Sequence, residues 1–404
     1  MANANLSNAK NARNDEFYTQ YHDIEKEISA YLEYNPDVFR GKVVLCPCDD
    51  PYESNFFKYF ALRFNDFGLK KLIATCYVGS PIANKQLSLF DEESAENKTT
   101  KSPHKIEITD INNGGAVNLS DVALLLAHDR NLLTRLKGDG DFRSAEIKKL
   151  RDEADFIITN PPFSLFREFL AWIVEANKQF VIIGNMNAIT YKEVFPLIKE
   201  NKIWLGVASG AKTYIKPDNT EQKMGNTCWF ANVDHGRRHQ PLSLMSVKDN
   251  LRFSRHKEIR GKEFYERYEN YNAIEVPFTD AIPSDYEGIM GVPISFLDKH
   301  SIEQFEIIGM CENENLYNLK TKVYTTAECK QAYFAKFNKN GTYDLNASGV
   351  VNRDGLLEKV YQRILIKQKN MFIQRERQRQ RKKEYQTVLC AQLGTMPTKA
   401  KFGT

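Results

Sequence analysis

No cysteine in this chain sits in a metal-binding or disulfide pattern. The seven cysteines are scattered, at Cys46, Cys48, Cys76, Cys228, Cys311, Cys329 and Cys390, and the nearest pair is C-x-C. A structural zinc needs CxxC with a second Cys or His pair, and a disulfide framework needs many closely spaced cysteines in a short chain. Neither is expected, and reduced thiols in a cytoplasmic protein are the simplest reading. Long apolar runs are also missing, since nothing approaches the roughly 20 residues that cross a bilayer. The opening MANANLSNAKNARNDE has no apolar stretch of the kind a secretory leader carries. No internal repeat is visible. With 42% hydrophobic and 27% charged residues among 404, the chain is neither wholly disordered nor fibrous. Its length leaves room for two or three domains.

Charge is small in total and uneven in place. The net value is +4, yet Lys367 to Glu384 alone holds eight Lys/Arg against two Glu. His235 to Lys262 holds another eight against two acids, with three histidines. Either run is compatible with a solvated face. Two of them in the C-terminal half point to a polyanionic partner.

The N-terminal half alternates short apolar runs with helical patterns. Strands are expected over 42–48, 70–78, 154–160, 179–185, 202–207 and 227–233. The last should run antiparallel, because no helix separates it cleanly from the fifth. Phe56, Phe57, Phe60 and Phe64 recur at helical spacing, residues 164–176 read as a helix capped by Ser164, and 189–200 as another. This alternation predicts a doubly wound α/β fold with a parallel sheet. Residues 79–105 read as a polar surface insertion. Beyond Asp234 the alternation fades into aromatic-rich segments of a separate mixed domain. After about Lys367 the chain becomes a basic tail, either an exposed helix or disordered. The expected divisions are a catalytic domain over 1–233, a target-recognition region over 234–367, and the tail over 368–404.

The most informative residues are Asn160-Pro161-Pro162-Phe163, directly after the strand ADFIIT. Strand ends in open parallel sheets are where ligands bind. Two prolines remove two backbone donors and stiffen the turn, leaving carbonyls fixed in space. The Asn160 side-chain oxygen and the Pro161 carbonyl make a pair of acceptors suited to an exocyclic amine with two hydrogens. Adenine N6 is such an amine, and a poor nucleophile because its lone pair is delocalised into the ring. Two acceptors favour a pyramidal nitrogen and free that pair. Phe163 can stack on the base, for roughly 1–3 kcal/mol.

At these residues the sequence resembles the N6-adenine DNA methyltransferases, whose signature is (D/N/S)-P-P-(F/Y/W). It is more closely similar to the EcoRI-type adenine methyltransferase family. The resemblance is carried by DEFYTQYHDIE (15–25), KVVLCPCDDP (42–51), SNFFKYFA (54–61), GDGDFRS (138–144) and ITNPPFSLFREFL (158–170), with ITYKEVFPLIKENKIWLGV (189–207), YNAIEV (271–276), GIMGVPISFL (288–297) and YQRILIK (361–367). It implies a Rossmann-like methyltransferase fold, S-adenosylmethionine as donor, double-stranded DNA as partner, and a site such as GAATTC. A cognate restriction endonuclease acting on the same site is a further partner it suggests. Carried over by residue, Asn160, Pro161, Pro162 and Phe163 hold the target adenine. Asp15, Phe17, Tyr18 and Thr19 form a cofactor-contacting segment, Cys46, Asp49, Asp50 and Pro51 the turn after the first strand, and Asp141 and Phe142 a segment near the cofactor's adenine. That turn lacks the usual glycine-rich loop, and the second strand ends without an acidic residue. Asp49 or Asp50 is therefore the expected ribose contact. Arg237, Arg238, Arg252, Arg255, His256 and Lys257 are the expected DNA contacts. Two other readings stay open: transfer to a protein glutamine amide, and a non-catalytic DNA-binding relative.

Overall fold

Val43, Val44, Leu45 and Cys46 are buried without a break. A strand with no polar face must be covered on both sides, as in the interior of a layered α/β sheet. The computed structural model describes residues 19–49, 54–76, 103–109, 132–215, 220–369 and 372. It sets this strand, β1 (Val43–Cys46), within a nine-stranded sheet. Helix α1 (Tyr21–Tyr34) precedes it, and α2 (Asn55–Leu62) joins it to β2 (Lys71–Thr75). Then follow β3 (His104–Ile108), β4 (Leu132–Arg135), α3 (Ala145–Glu153), β5 (Phe156–Thr159), α4 (Phe166–Glu175) and β6 (Gln179–Asn185). A short α5 (Phe195–Lys199) and β7 (Trp204–Leu205) lead to the hairpin of β8 (Gly210–Ile215) and β9 (Glu221–Ala231).

The sheet order is β4-β3-β2-β1-β5-β6-β9-β7, with β8 on β9. Only β2, β1, β5 and β6 run parallel; β3, β4, β7, β8 and β9 pair antiparallel. The parallel expectation thus holds for the middle of the sheet, the antiparallel strand expected over 227–233 is found as β9, and the pattern is corrected at β3, β4, β7 and β8. Antiparallel neighbours need no crossover helix, and β9 indeed runs against β7, with Trp204 opposite Ala231. Because β2 and β5 flank β1, the chain direction switches at β1, and the crevice beyond the ends of β1 and β5 is a topological switch point.

The four phenylalanines at helical spacing are core: Phe56, Phe57, Phe60 and Phe64 are at most 4% exposed. Phe39 packs among Phe60, Phe67 and Phe156 at centroid distances of 5.1–5.6 Å. Two helical expectations change. Ser164 does not cap α4: a 3-10 turn over Phe163–Leu165 begins at Pro162, and Leu165 precedes the helix without a side-chain cap bond. The fixed proline φ starts the turn before Ser164 can act. Residues 189–200 are a 3-10 turn over Met186–Thr190 and then α5, which begins where Pro196 is tolerated.

The chain divides into two compact units between Arg237 and Arg238. The second holds α6 (Val247–Phe253) and a sheet ordered β10 (Ala273–Glu275), β11 (Ile289–Pro293), β15 (Arg363–Gln368), β12 (Phe305–Met310). It also holds α7 (Thr326–Phe337) and a hairpin of β13 (Val350–Arg353) and β14 (Leu356–Lys359). A buried Arg363–Glu275 ion pair, with Tyr268 donating to the same carboxylate, ties β15 to β10. The polar insertion gives way to β3 at His104; its residues 79–102 lie outside the described residues, as does the tail beyond Lys369 apart from Phe372.

Candidate active site

The corner Asn160–Phe163 leaves β5 at the switch point. Pro161 is buried, and Asn160, Pro162 and Phe163 are half-buried. The Pro162 carbonyl accepts from Leu165 N at 2.9 Å, which closes the turn. The Pro161 carbonyl takes no such bond among the described residues. Phe163 packs against the main core, with the buried Tyr214 ring of β8 edge-on at 6.5 Å. The aromatic position of the corner is therefore packed in place, three residues beyond Asn160.

What holds the corner is a buried carboxylate. Asp49, 4% exposed, accepts from Thr159 Oγ1 at 2.5 Å and from Ser54 Oγ at 2.6 Å. Thr159 immediately precedes Asn160, and Ser54 is the N-cap of α2, accepting from Phe56 N and Phe57 N. Asp49 N donates to Thr75 O, and Thr75 Oγ1 donates to Pro47 O. The Asp49 side chain thus joins the end of β5 to the start of α2, and backbone groups of Asp49 and Pro47 join the ends of β1 and β2. Losing a partner to such a buried group costs about 1–3 kcal/mol.

A second buried carboxylate anchors the approach to β8. Glu27 of α1 accepts from Tyr31 Oη at 2.7 Å, Val207 N at 3.0 Å and Ala208 N at 2.8 Å, fixing the loop that enters β8. A Cβ at Gly206 would lie 1.8 Å from Glu27 Oε1, so the close approach requires glycine. Burial pushes the Glu27 carboxyl above its usual range, against its three donors and the Lys212 ammonium. Lys212, also buried, lies 3.6 Å from Asp23.

The expected cofactor residues separate. Asp15, Phe17, Tyr18, Asp50 and Pro51 lie outside the described residues. Thr19 is buried, its carbonyl takes the Asn55 amide at 2.8 Å, and its hydroxyl has no partner among the described residues. Cys46 is core, and burial raises its thiol well above the ordinary value, with Asp49 adding repulsion. Asp49, one of the two expected ribose contacts, holds a hydroxyl donor on each carboxylate oxygen and ties the corner to the start of α2. Asp141 is gripped by Arg143 through two bonds of 2.6 and 2.8 Å, which hold its carboxyl below the usual range. Arg143 also reaches Glu168 of α4 at 3.1 Å, tethering this loop to the helix after the corner. Phe142 is 5% exposed and packs on Phe169 and Trp172.

The expected DNA contacts also divide. Arg237 donates to the Val207 carbonyl at 2.6 Å, and Arg238 is 5% exposed, so burial withdraws Arg238 from the surface. His256 stacks on Phe278 at 3.7 Å and shares Asp280 with Arg255, each at 2.8 Å. Arg252, Arg255 and Lys257 are exposed. Among the described residues no cluster of three or more metal-ligating side chains occurs, and no helix is long and apolar enough to cross a membrane.

Sequence reasoning missed Thr159, Ser54 and Glu27. Ser54 before an apolar run is a visible cap signal. Glu27 shares the buried stripe of Ile24, Ile28 and Tyr31, and an acid on an apolar stripe is itself a signal. Thr159 carries none, because its partner is 110 residues away.

Comparison with known proteins gives a consistent result. The family described as "Adenine-specific methyltransferase EcoRI" matches residues 5–369. The chain is 43% identical to the Type II methyltransferase M.EcoRI of Escherichia coli, over 75% of this chain and 88% of that protein. It is 33% identical to the Type II methyltransferase M.MpnI of Mycoplasma pneumoniae, over 79% and 90%. No solved structure matches.

Proposed function

The chain belongs to the EcoRI-type adenine-specific methyltransferase family, and from that premise we propose that it moves a methyl group from S-adenosylmethionine to N6 of an adenine extruded from duplex DNA. The observation that carries this reading is the Asn160–Pro161 corner at the switch point, with Thr159 locked on Asp49. The family's adenine specificity leaves no observation favouring a glutamine amide or a non-catalytic role.

S-adenosylmethionine, when bound, supplies a methyl carbon activated by a sulfonium. The residues present fit such a ligand at Thr19, whose buried hydroxyl has no partner among the described residues. The chain's own work is positioning. Asn160 Oδ1 and the Pro161 carbonyl accept the two N6 hydrogens and turn the nitrogen lone pair toward attack. The proton becomes acidic only as the new N–C bond forms, so no strong base is required beforehand. Phe163 stacks on the purine and offsets part of the few kcal/mol that extrusion costs. Correct placement supplies much of the acceleration. Of the expected DNA contacts, Arg252, Arg255 and Lys257 are the exposed cations suited to phosphates.

The test is incubation of the full chain with methyl-labelled S-adenosylmethionine and unmethylated duplex DNA, followed by nucleoside analysis. Label on N6-methyladenine is expected. Label on protein, or DNA binding without transfer, overturns the reading. Mapping the modified adenines tests the GAATTC-like site. Survival of that DNA against a nuclease of the same specificity tests the protective role.

A further inference from the structure

Several cations of the segment 235–262 are already committed, whereas a second set in the same unit is not. Helix α7 begins with a capping box, Thr325 to Glu328 and back, and buries Cys329 and Ala332. Its outer stripe carries Lys330, Phe334 and Phe337, and the two rings are 52% and 47% exposed. Phe337 packs on Tyr333 at 4.7 Å and on Tyr343 at 6.2 Å. Lys336 and Lys339 stand over Phe337 at 5.8 and 6.0 Å, and Lys359 over Tyr343 at 5.9 Å. Ammonium groups held over ring faces keep their stems extended along the surface.

Few carboxylates oppose them. Glu358 pairs with Lys336 and Arg353, and Glu328 with Lys322 and the cap. Among the described residues no carboxylate lies within ion-pair distance of Lys330, Lys339 or Lys359. From Lys320 to Tyr343 there are five lysines and one acid. Uncompensated, pre-extended ammonium groups beside exposed rings fit a polyanion with apolar sugar edges. A protein partner would have to bring its own carboxylates to so basic a face.

We propose that this face of α7 and β14 holds the backbone of duplex DNA, with Lys330, Lys339 and Lys359 on phosphates and Phe334 against deoxyribose. The inference rests on the reading of the chain as a DNA methyltransferase, and it adds a contact surface that the basic runs of the sequence do not include. Each phosphate neutralised releases counterions, so it contributes about 0.9 to the slope of log affinity against log salt.

The experiment compares the full chain with the triple variant Lys330→Gln/Lys339→Gln/Lys359→Gln and with Phe334→Ala, on duplexes with and without the preferred site across a salt series. The triple variant should weaken both duplexes by the same factor and reduce the salt slope by about 2–3. Its turnover at saturating DNA should stay within twofold of wild type, and a matching triple Lys→Arg variant should keep the slope. Phe334→Ala should weaken both duplexes without changing the slope. An unchanged slope in the triple variant, or a loss confined to one sequence, overturns the proposal. If the wild type transfers no methyl group, the functional reading fails, while the slope still decides the fate of this face.

Discussion

The corner after β5 and the lysine face of α7 use polar groups in opposite ways. At the corner, Thr159, Asp49 and Ser54 are buried and hydrogen-bonded to one another at 2.5–2.6 Å. On α7 and β14, Lys330, Lys339 and Lys359 have no carboxylate partner among the described residues and face solvent or aromatic rings. Buried hydrogen bonds resist screening and fix atoms, which is what methyl transfer needs. Exposed charges are screened within about 8–10 Å at ordinary salt and give affinity without fixed geometry. Variants at the first region should therefore change turnover, and variants at the second should change salt dependence.

The largest expected effect sharpens this division. Asn160→Ala removes the acceptor proposed for the N6 amine, and kcat should fall by about 10²–10³, in the range for losing one transition-state hydrogen bond. DNA affinity and its salt slope should not move, as gel shifts would show. A variant that loses binding instead would merge the two regions.

A change in pH separates them by stability. His300, in the second unit, donates from Nε2 to the Phe305 carbonyl, and burial with Arg238 and Lys369 nearby pushes its pKa down to about 4. A depressed base adds stability that is full above the unfolded value of about 6.5 and is lost as pH falls toward 4. The loss approaches roughly 3 kcal/mol for a shift of this size. Urea titrations at pH 7.5 and 5 should show it, and His300→Gln should flatten the dependence. An equal slope in the variant would remove His300 from the explanation.

Thr159→Val tests whether the tie to Asp49 acts on chemistry. Leaving a buried carboxylate short of one donor costs about 1–3 kcal/mol. If it is expressed at the corner, kcat should drop about tenfold or more, with cofactor and DNA affinity nearly unchanged, and Thr159→Ser should restore it. A drop in melting temperature with normal turnover would make the tie purely structural. The smallest effect is expected at Arg255, which Asp280 already neutralises at 2.8 Å. Arg255→Gln should lower the salt slope less than Arg252→Gln does.

Much of the first region was legible in the sequence. Strands β1, β5 and β6 announce themselves as unbroken apolar runs, and the prolines mark the corner. Ser164 misled because a proline one turn earlier sets the backbone first. The parallel pattern failed at β3, β4, β7 and β8, where antiparallel partners such as β8 beside β9 need no helix between them. Counting charges along 235–262 could not show that Arg238 is buried or that one aspartate serves both Arg255 and His256. The Asp49–Thr159 tie was invisible for a similar reason: local pattern carries no record of a partner 110 residues away.

The most direct measurement is single-turnover methyl transfer by Asn160→Asp and Asn160→Leu, with DNA binding matched for both. Aspartate keeps oxygen acceptors in place, whereas leucine keeps the shape and removes them. Transfer by the aspartate variant within about 30-fold of wild type, and a fall of about 10³ or more for leucine, is the result expected of acceptors worth several kcal/mol. Equal rates for the two variants would contradict the role given to the Asn160 oxygen.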